Sequence, residues 1–191
     1  ALEVIEAVAQ RLQAPTFIYG QHWHAYEERN RVVHQDERGV LDLPLPVLPG
    51  AHQIYNAGAA LAALRHLDLP ETRFEAAVTR AQWPARLQRL KTGPLKDIAP
   101  DADLWLDGGH NAAAGQALAS HLAQQSLRPT YLICGMLNTK DVTGYLAPMA
   151  PYVAELLAVS IPSDANTLPA ETTATAAKSV GMTATTADTV N

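Results

Sequence analysis

The stretch Ala102–Gln116, ADLWLDGGHNAAAGQ, opens with a short apolar run, Leu104-Trp105-Leu106. It turns on Asp107, Gly108, Gly109, His110 and Asn111 and continues into small residues with helical spacing. Apolar run, glycine turn and helical periodicity predict a buried strand, a tight turn and a helix. In open α/β sheets, ligands sit beyond the carboxyl ends of strands, where helix N-termini present unpaired N–H groups. Asp107 falls at that strand end, and His110 and Asn111 fall at the helix mouth. An acid, an imidazole and an amide this close make a polar corner suited to a nucleotide. The same residues also suit a turn in which Asn111 or Asp107 only caps the helix.

Downstream the strand–helix rhythm repeats. Thr130–Cys134 reads as a strand, followed by a loop from Gly135 to Asp141 and a helix over Val142–Met149. Glu155–Ile161 reads as the next strand, with a Pro162-Ser163-Asp164 turn and a helix over Pro169–Val180; a last strand starts near Met182. Apolar strands spaced by helices imply βαβ units and a mostly parallel sheet with flanking helices, a Rossmann-like α/β domain. The loops after Leu106, Cys134 and Ile161 then emerge on one edge, bringing Asp107, His110, Lys140, Asp141, Ser163 and Asp164 to it. Cys134, inside an apolar run, reads as core rather than nucleophile.

Upstream the pattern differs. Leu2, Ile5, Val8, Ala9 and Leu12 mark one face of a helix that stops before Pro15. Thr16–Gly20, Trp23–Glu28, Arg31–Gln35 and Val40–Leu45 are short, β-prone and separated by turn residues, which predicts a small antiparallel meander. His22 and His24 alternate and share a face, with no further metal ligands identified beside them; His34, His66 and His121 carry no signal. After Pro44, Pro46 and Pro49, an alanine-rich helix is expected from about His52 to Leu67, small enough in its side chains to pack closely. Asn56 lies in its first turns, placed either to meet a ligand or simply to face solvent. A second helix is expected over Pro70–Ala81. Trp83-Pro84-Ala85-Arg86-Leu87-Gln88-Arg89-Leu90 then reads as a stiff, basic link. Arginine suits phosphate because its planar fork makes paired, charge-assisted hydrogen bonds.

Composition narrows the function classes. The chain has 191 residues, 48% of them hydrophobic, enough for one ordinary domain or two small ones. A formal net charge of −5 argues against a general grip on nucleic acid. One cysteine allows no internal disulfide and no thiolate metal cluster, which fits a cytoplasmic location. No apolar stretch is long enough to span a membrane, and no basic-then-apolar leader is visible. The chain opens on Ala1 inside a helical pattern and closes on Asn191 without one, so both ends are expected to be cuts in a longer protein. No GxxxxGK[ST] phosphate loop is present, and Gly108-Gly109 lacks the third glycine of a dinucleotide fingerprint. A Rossmann-type oxidoreductase is therefore disfavoured.

Four segments carry a family resemblance. Leu48-Pro49-Gly50-Ala51-His52-Gln53-Ile54-Tyr55-Asn56-Ala57 resembles the LPG-x-HQ-x-x-NA segment of the bifunctional dihydrofolate synthase/folylpolyglutamate synthases, in the Mur ligase superfamily. Trp83-Pro84-Ala85-Arg86-Leu87-Gln88 is similar to their PGR-[FL]-[QE] segment, and Leu106-Asp107-Gly108-Gly109-His110-Asn111 to LDGAHNP. Cys134 to Asp141, CGMLNTKD, resembles G-M-L-x-x-KD. The segments come in the family's order and cover most of residues 48–141.

The resemblance implies the C-terminal half of an ATP-dependent amide ligase. Residues 1–81 would close the central ATPase domain, a small α+β piece of meander plus helices. Residues 82–191 would form the C-terminal Rossmann-like domain. L-glutamate would be added to dihydropteroate or to a reduced folate or its polyglutamate through an acyl phosphate. Mg2+ would assist, with no metal ligand among these residues. The resemblance places Asn56 on the adenine side of ATP, Arg86 at the phosphates, Asp107 at the ribose or orienting the nucleotide, and His110 near the reacting groups as the catalytic candidate. It assigns no step to Lys140 or Asp141. A cytoplasmic monomer is expected. Gly109 stands where the family has Ala, Ala112 where it has Pro, Ala85 where it has Gly, and Ala51 where a basic or polar residue is common. A Mur-type peptidoglycan-precursor ligase fragment and a non-catalytic nucleotide-binding module are the alternatives.

Overall fold

The computed structural model describes residues 2–125, 128–162 and 164–187. The chain divides into two compact units, one up to Trp83 and one from Pro84 onward.

In the first unit, helix α1 (Leu2–Leu12) forms as its spacing predicts, yet none of its residues is buried, and Leu2, Ile5 and Leu12 are exposed. The meander consists of β1 (Trp23–Glu28), β2 (Arg31–Asp36) and β3 (Gly39–Pro44), paired antiparallel in that order. Arg29 (φ 51) and Asn30 (φ 62) make the two-residue turn between β1 and β2, and both are left-handed, as the right-handed strand twist demands of such turns. Thr16–Gly20 is not a strand of this sheet; only an isolated bridge joins Tyr19 to Trp23. Its backbone groups bond locally instead, Gly20 to Trp23 and His22 to Ile18.

Helix α2 (His52–His66) lies on the meander. Gly58 is the point of closest approach: a Cβ there would collide with Ala25 Cβ and sit 2.6 Å from Trp23 Cζ3. This is the close packing that the small residues allow. A 3-10 turn at Glu71–Arg73 leads into α3 (Phe74–Thr79), shorter than the helix expected, because only Phe74 and Val78 anchor it. Trp23, Val32, Leu61 and Phe74 form the centre of this core.

The second unit contains β4 (Gln88–Leu90), α4 (Pro94–Ile98), β5 (Leu104–Leu106), α5 (Ala112–Leu122), β6 (Tyr131–Cys134), α6 (Val142–Leu146), β7 (Glu155–Val159), α7 (Ala170–Ser179) and β8 (Ala184–Ala187). Strands β6, β7 and β8 form a parallel sheet in that order. Leu132, Cys134, Leu156, Ala158 and Ala184 point to its helix-covered face, over Leu146, Met149 and Ala174. After Leu146 the chain tightens into a 3-10 helix, Ala147–Tyr152, rather than continuing α6 to Met149. Pro148 and Pro151 lack the N–H groups a continuing α-helix needs.

Strand β5 departs from the expectation of a buried strand. It pairs antiparallel with β4, Arg89 opposite Trp105, in a separate two-stranded ladder. Trp105 and Leu106 are accordingly exposed. The segment from Trp83, expected to be only a link, supplies the partner strand.

Candidate functional site

The turn after β5 is built on one carboxylate. Asp107 is half-buried. Its Oδ1 accepts the Gly109 N–H at 2.7 Å, and its Oδ2 accepts the Leu87 N–H at 2.8 Å. The Gly108 N–H donates to the Ala85 carbonyl at 2.8 Å, so two backbone segments are tied together on either side of Arg86. Gly109 cannot easily carry a side chain in this geometry: a Cβ would lie 2.8 Å from Asp107 Oδ1 and 2.9 Å from Ala114 Cβ.

The Arg86 loop is strained. Ala85 has φ 56 and Leu87 φ 44, both in the left-handed region that costs a non-glycine residue roughly 1 kcal/mol or more. The position where the resembled segment has glycine is thus the position where the backbone needs one. Leu87 is buried, while Arg86 is exposed and, among the described residues, makes no side-chain hydrogen bond or ion pair. Its neighbour Arg89 is committed: it pairs with Asp103 and lies 6.0 Å over the Trp105 ring.

His110 is exposed, and its Nδ1 lies 2.9 Å from the Gly108 carbonyl. A carbonyl only accepts, so Nδ1 is the donor in this bond, and Nε2 makes no hydrogen bond among the described residues. Asn111 caps α5, its side chain accepting the Ala114 N–H at 2.9 Å. The capping alternative therefore holds for Asn111 but not for Asp107.

Lys140 and Asp141 separate in role. Asp141 is the N-cap of α6 and accepts the Gly144 N–H at 2.8 Å. The Lys140 side chain has no partner among the described residues. The loops after β6 and β7 are stitched at one edge, Asn138 N–H to the Asn166 carbonyl at 2.8 Å and Leu168 N–H to the Met136 carbonyl at 2.7 Å. Asp164 accepts the Asn166 N–H at 2.8 Å, and Ser163 lies outside the described residues. The turn after β5 reaches the same region through Tyr145 of α6, whose ring would be 3.3 Å from a Cβ on Gly109. Burial, and then the charges of Cys134 and Asp107, push the Tyr145 hydroxyl above its usual range, so it stays protonated. Burial pushes the Cys134 thiol up to about 11, in keeping with a core residue.

Asn56 belongs to the other unit. It is exposed on α2 and donates from Nδ2 to Gln53 Oε1 at 3.0 Å; buried Gln53 in turn lies 3.0 Å from His52 Nε2. Gln53 is the organising residue of this group, and its signal in the sequence was the three-residue spacing to Asn56 on one helix face.

A second polar cluster, in the first unit, has no motif that marks it in the sequence. His34 is fully buried, stacked 5.8 Å from Trp23, with Nε2 3.1 Å from Asp36 Oδ2 and, among the described residues, no partner for Nδ1. Buried Arg65 donates to Asp36 Oδ1 at 2.5 Å, to Glu71 Oε1 at 2.8 Å and to the Gly39 carbonyl at 3.0 Å. The only available sign was that His34 shares a strand face with Val32. Among the described residues no group of three or more His, Cys, Asp or Glu is placed to hold a metal ion, and no helix is long and apolar enough to cross a membrane.

A parallel sheet with helices packed on it defines an α/β domain. No family model matches the chain. Over 121 residues it is 36% identical to the dihydrofolate synthase/folylpolyglutamate synthase of Mycobacterium tuberculosis, covering 58% of this chain and 22% of that protein. It superposes on E. coli FolC in complex with DHPP and ADP with a TM-score of 0.78 and 26% identity, covering 98% of this chain and 42% of that one. A bifunctional folylpolyglutamate synthase/dihydrofolate synthase with Mn, AMPPNP and L-glutamate bound matches with a TM-score of 0.79, 26% identity and the same coverage. The chain is a homologue of the folylpolyglutamate/dihydrofolate synthases. It spans less than half the length of the relatives it matches.

Proposed function

We propose that this chain is the C-terminal part of an ATP-dependent ligase that adds L-glutamate to dihydropteroate, to folate polyglutamates, or to both. Residues 1–81 close the central domain and residues 82–191 form the C-terminal domain. The observation that carries the reading is the match over 98% of the chain to a structure holding ADP and DHPP. The turn geometry supports it independently: an unpartnered guanidinium on a braced loop fits an anionic group.

In this reading Arg86 binds the nucleotide's phosphates, Asp107 holds the ribose or orients the nucleotide, and Asn56 contacts the adenine side. His110, exposed on the turn, is the catalytic candidate near the reacting groups. ATP, when bound, supplies the phosphoryl group that activates the acceptor's carboxylate for attack by the amine of glutamate. The divalent ion is Mg2+, and its ligands are expected in sequence other than this chain. The protein works as a cytoplasmic monomer without nucleic acid or membrane partners.

The test is a ligation assay on the longer polypeptide that carries this sequence. ADP release that requires both glutamate and dihydropteroate or a reduced folate is the expected result. Release independent of glutamate would sink the reading, and turnover with a UDP-sugar peptide instead would move the chain to the cell-wall ligases. The 191-residue chain by itself is expected to turn over no ATP, because it contains no phosphate loop.

A further inference from the structure

We infer that the cavity in the first unit, between the turn that joins β2 to β3 and the C-terminal end of α2, is a binding site for an aromatic amino acid in its zwitterionic form.

The cavity has a volume of about 710 Å³, within the range of roughly 300–1,000 Å³ that small-molecule sites occupy. Three pieces of chain wall it: the segment before β1, the Glu37-Arg38 turn and the last turn of α2. The first overlaps Thr16–Gly20, the stretch that does not join the sheet. Side chains pin it instead. Trp23 Nε1–H donates to the Phe17 carbonyl at 3.1 Å, and the Ile18 N–H donates to His22 Nδ1 at 2.9 Å. These bonds fix the backbone under Phe17, whose exposed ring lies 4.6 Å from the His66 ring, tilted at 49°. Flat rings on a fixed loop give a ligand's ring a surface to stack on.

The polar lining offers both signs of charge. Arg65 is held by Asp36, Glu71 and the Gly39 carbonyl through Nε and Nη1, and Arg38 by Asp68 and the Arg65 carbonyl through Nη1. Among the described residues, Nη2 of Arg65 and both Nε and Nη2 of Arg38 make no hydrogen bond. Donors on guanidinium groups that are already fixed suit a carboxylate and lose little freedom in binding it. The acids differ in what they have left. Asp36 has both oxygens engaged, one by Arg65 and the Arg38 N–H, the other by His34. Asp68 pairs with Arg38. Exposed Glu37 makes no hydrogen bond or ion pair among the described residues, and its carboxylate suits an ammonium group. A simple anion would face three carboxylates against two guanidinium groups. A zwitterion answers both, with its side-chain ring on Phe17 and His66. Arg65 lies about 13 Å farther along α2 than Asn56.

The experiment is a calorimetric titration of the longer polypeptide that carries this sequence, with ADP saturating and L-tryptophan as the probe. L-Tryptophan is expected to bind with a Kd of about 1 mM or below, as an unoptimised ligand of its size does. Tryptamine, which lacks the carboxylate, and indole-3-propionate, which lacks the ammonium, are each expected to bind about ten-fold more weakly. Glu37→Gln changes an exposed side chain with no partner among the described residues, so the fold is kept. It weakens L-tryptophan about ten-fold and leaves indole-3-propionate unchanged. Arg38→Gln weakens L-tryptophan by a similar factor and leaves tryptamine unchanged. Phe17→Ala weakens all three probes about five-fold, the loss of a ring contact. Arg65 is left intact, because its removal strands a buried carboxylate. No binding of L-tryptophan up to about 20 mM overturns the inference. Equal affinity for the three probes overturns the zwitterionic ligand, and binding that survives both Glu37→Gln and Arg38→Gln undiminished overturns the site.

Discussion

The two units each hold an arginine beside an aspartate, and they use the pair in opposite ways. In the first unit, Arg65 is 3% exposed and its donors go to Asp36, Glu71 and the Gly39 carbonyl. Arg38 closes the group from outside by donating to the Arg65 carbonyl at 2.5 Å. In the second unit, among the described residues, Asp107 accepts only backbone N–H groups and Arg86 is exposed and unpaired. A multiply paired ionic group inside a core holds a fold together, since any loss strands a buried charge. An unsaturated cation on a strained, braced loop contributes little to the fold and is free for a ligand. The cores around them match this contrast. Aromatic and ionic groups mix in the first, whereas the second is packed mainly from Leu, Met, Ala and Val, with Tyr145 and Cys134 among them, and has no buried ion pair among the described residues.

The sharpest way to break the comparison is to remove Arg65. Arg65→Ala leaves Asp36, at 11% side-chain exposure, without its cation, and should cost about 3–5 kcal/mol in chemical denaturation. A loss under about 1 kcal/mol would mean that the buried group is not what holds the first unit. Next come the two close approaches, one in each unit. Gly115→Ala sets a methyl against the Tyr145 carbonyl, which is backbone and cannot swing away. Gly58→Ala sets one against Ala25 and the Trp23 ring. Each should cost about 1–3 kcal/mol as overpacking. The expected order is Gly115→Ala worse than Gly58→Ala, because a side-chain ring adjusts more readily than a carbonyl. The reverse order would show the helix pair α5–α6 to be softer than the sheet.

How far the sequence reveals this contrast depends on the interaction involved. Periodicity marked the longer helices and the three parallel strands but not the short α4, because only burial on one face of a longer element leaves a period that can be read along the chain. It misplaced Leu104–Leu106, because an apolar triplet looks alike at the centre of a sheet and in a two-stranded ladder. It missed β4 for the same reason: Gln88-Arg89-Leu90 has no pattern of its own and is a strand only through its partner. The turn residues Asp107, Gly109 and Asn111 were legible as a polar corner, since local spacing sets local hydrogen bonds. The Asp107–Leu87 bond spans twenty residues, and the Arg65–Asp36 bond twenty-nine. Such pairings appear only once the chain has folded. His34 illustrates the limit best, for a lone histidine on a strand has no sequence mark that tells burial from exposure.

His34 also carries a prediction of smaller size. Burial lowers its pKa, and the bond to Asp36 only partly offsets this, so it lies below its usual value of 6.5. The folded state therefore keeps the ring neutral while the unfolded chain takes up a proton as pH falls below 6.5. Stability is complete above that value and declines as pH falls from 6.5 toward the lowered folded-state value. Asp36 adds a second, more acidic loss. Burial opposes its charge, but the bonds from His34 and the Arg38 N–H together with Arg65 outweigh it, so its pKa lies below 3.8 and its contribution is lost as pH falls from 3.8 through the folded value. His34→Gln, which can still donate to Asp36 but does not titrate, should flatten the denaturation midpoint between pH 8 and 5.5. In the second unit His121 is also lowered by burial, so His121→Gln is the control that separates the two units. A slope that survives His34→Gln and vanishes in His121→Gln would move the pH sensitivity out of the ionic cluster.

The smallest expected effect is the most telling for the contrast. Arg86→Ala removes an exposed side chain with no partner among the described residues, so stability should change by less than about 0.5 kcal/mol. Asp107→Ala, by contrast, unties Leu87 and Gly109 and should cost about 1–3 kcal/mol, as a lost charged acceptor does. Thermal unfolding of the two variants side by side reads the difference directly. If Arg86→Ala proved as costly as Asp107→Ala, the arginine would be a structural member of the turn, and the likeness between the two units would outweigh their difference. If only Asp107→Ala loses stability while both lose affinity for ATP, the turn consists of a brace and a free hand, which the first unit, with Arg65 donating to two carboxylates and a backbone carbonyl, does not have.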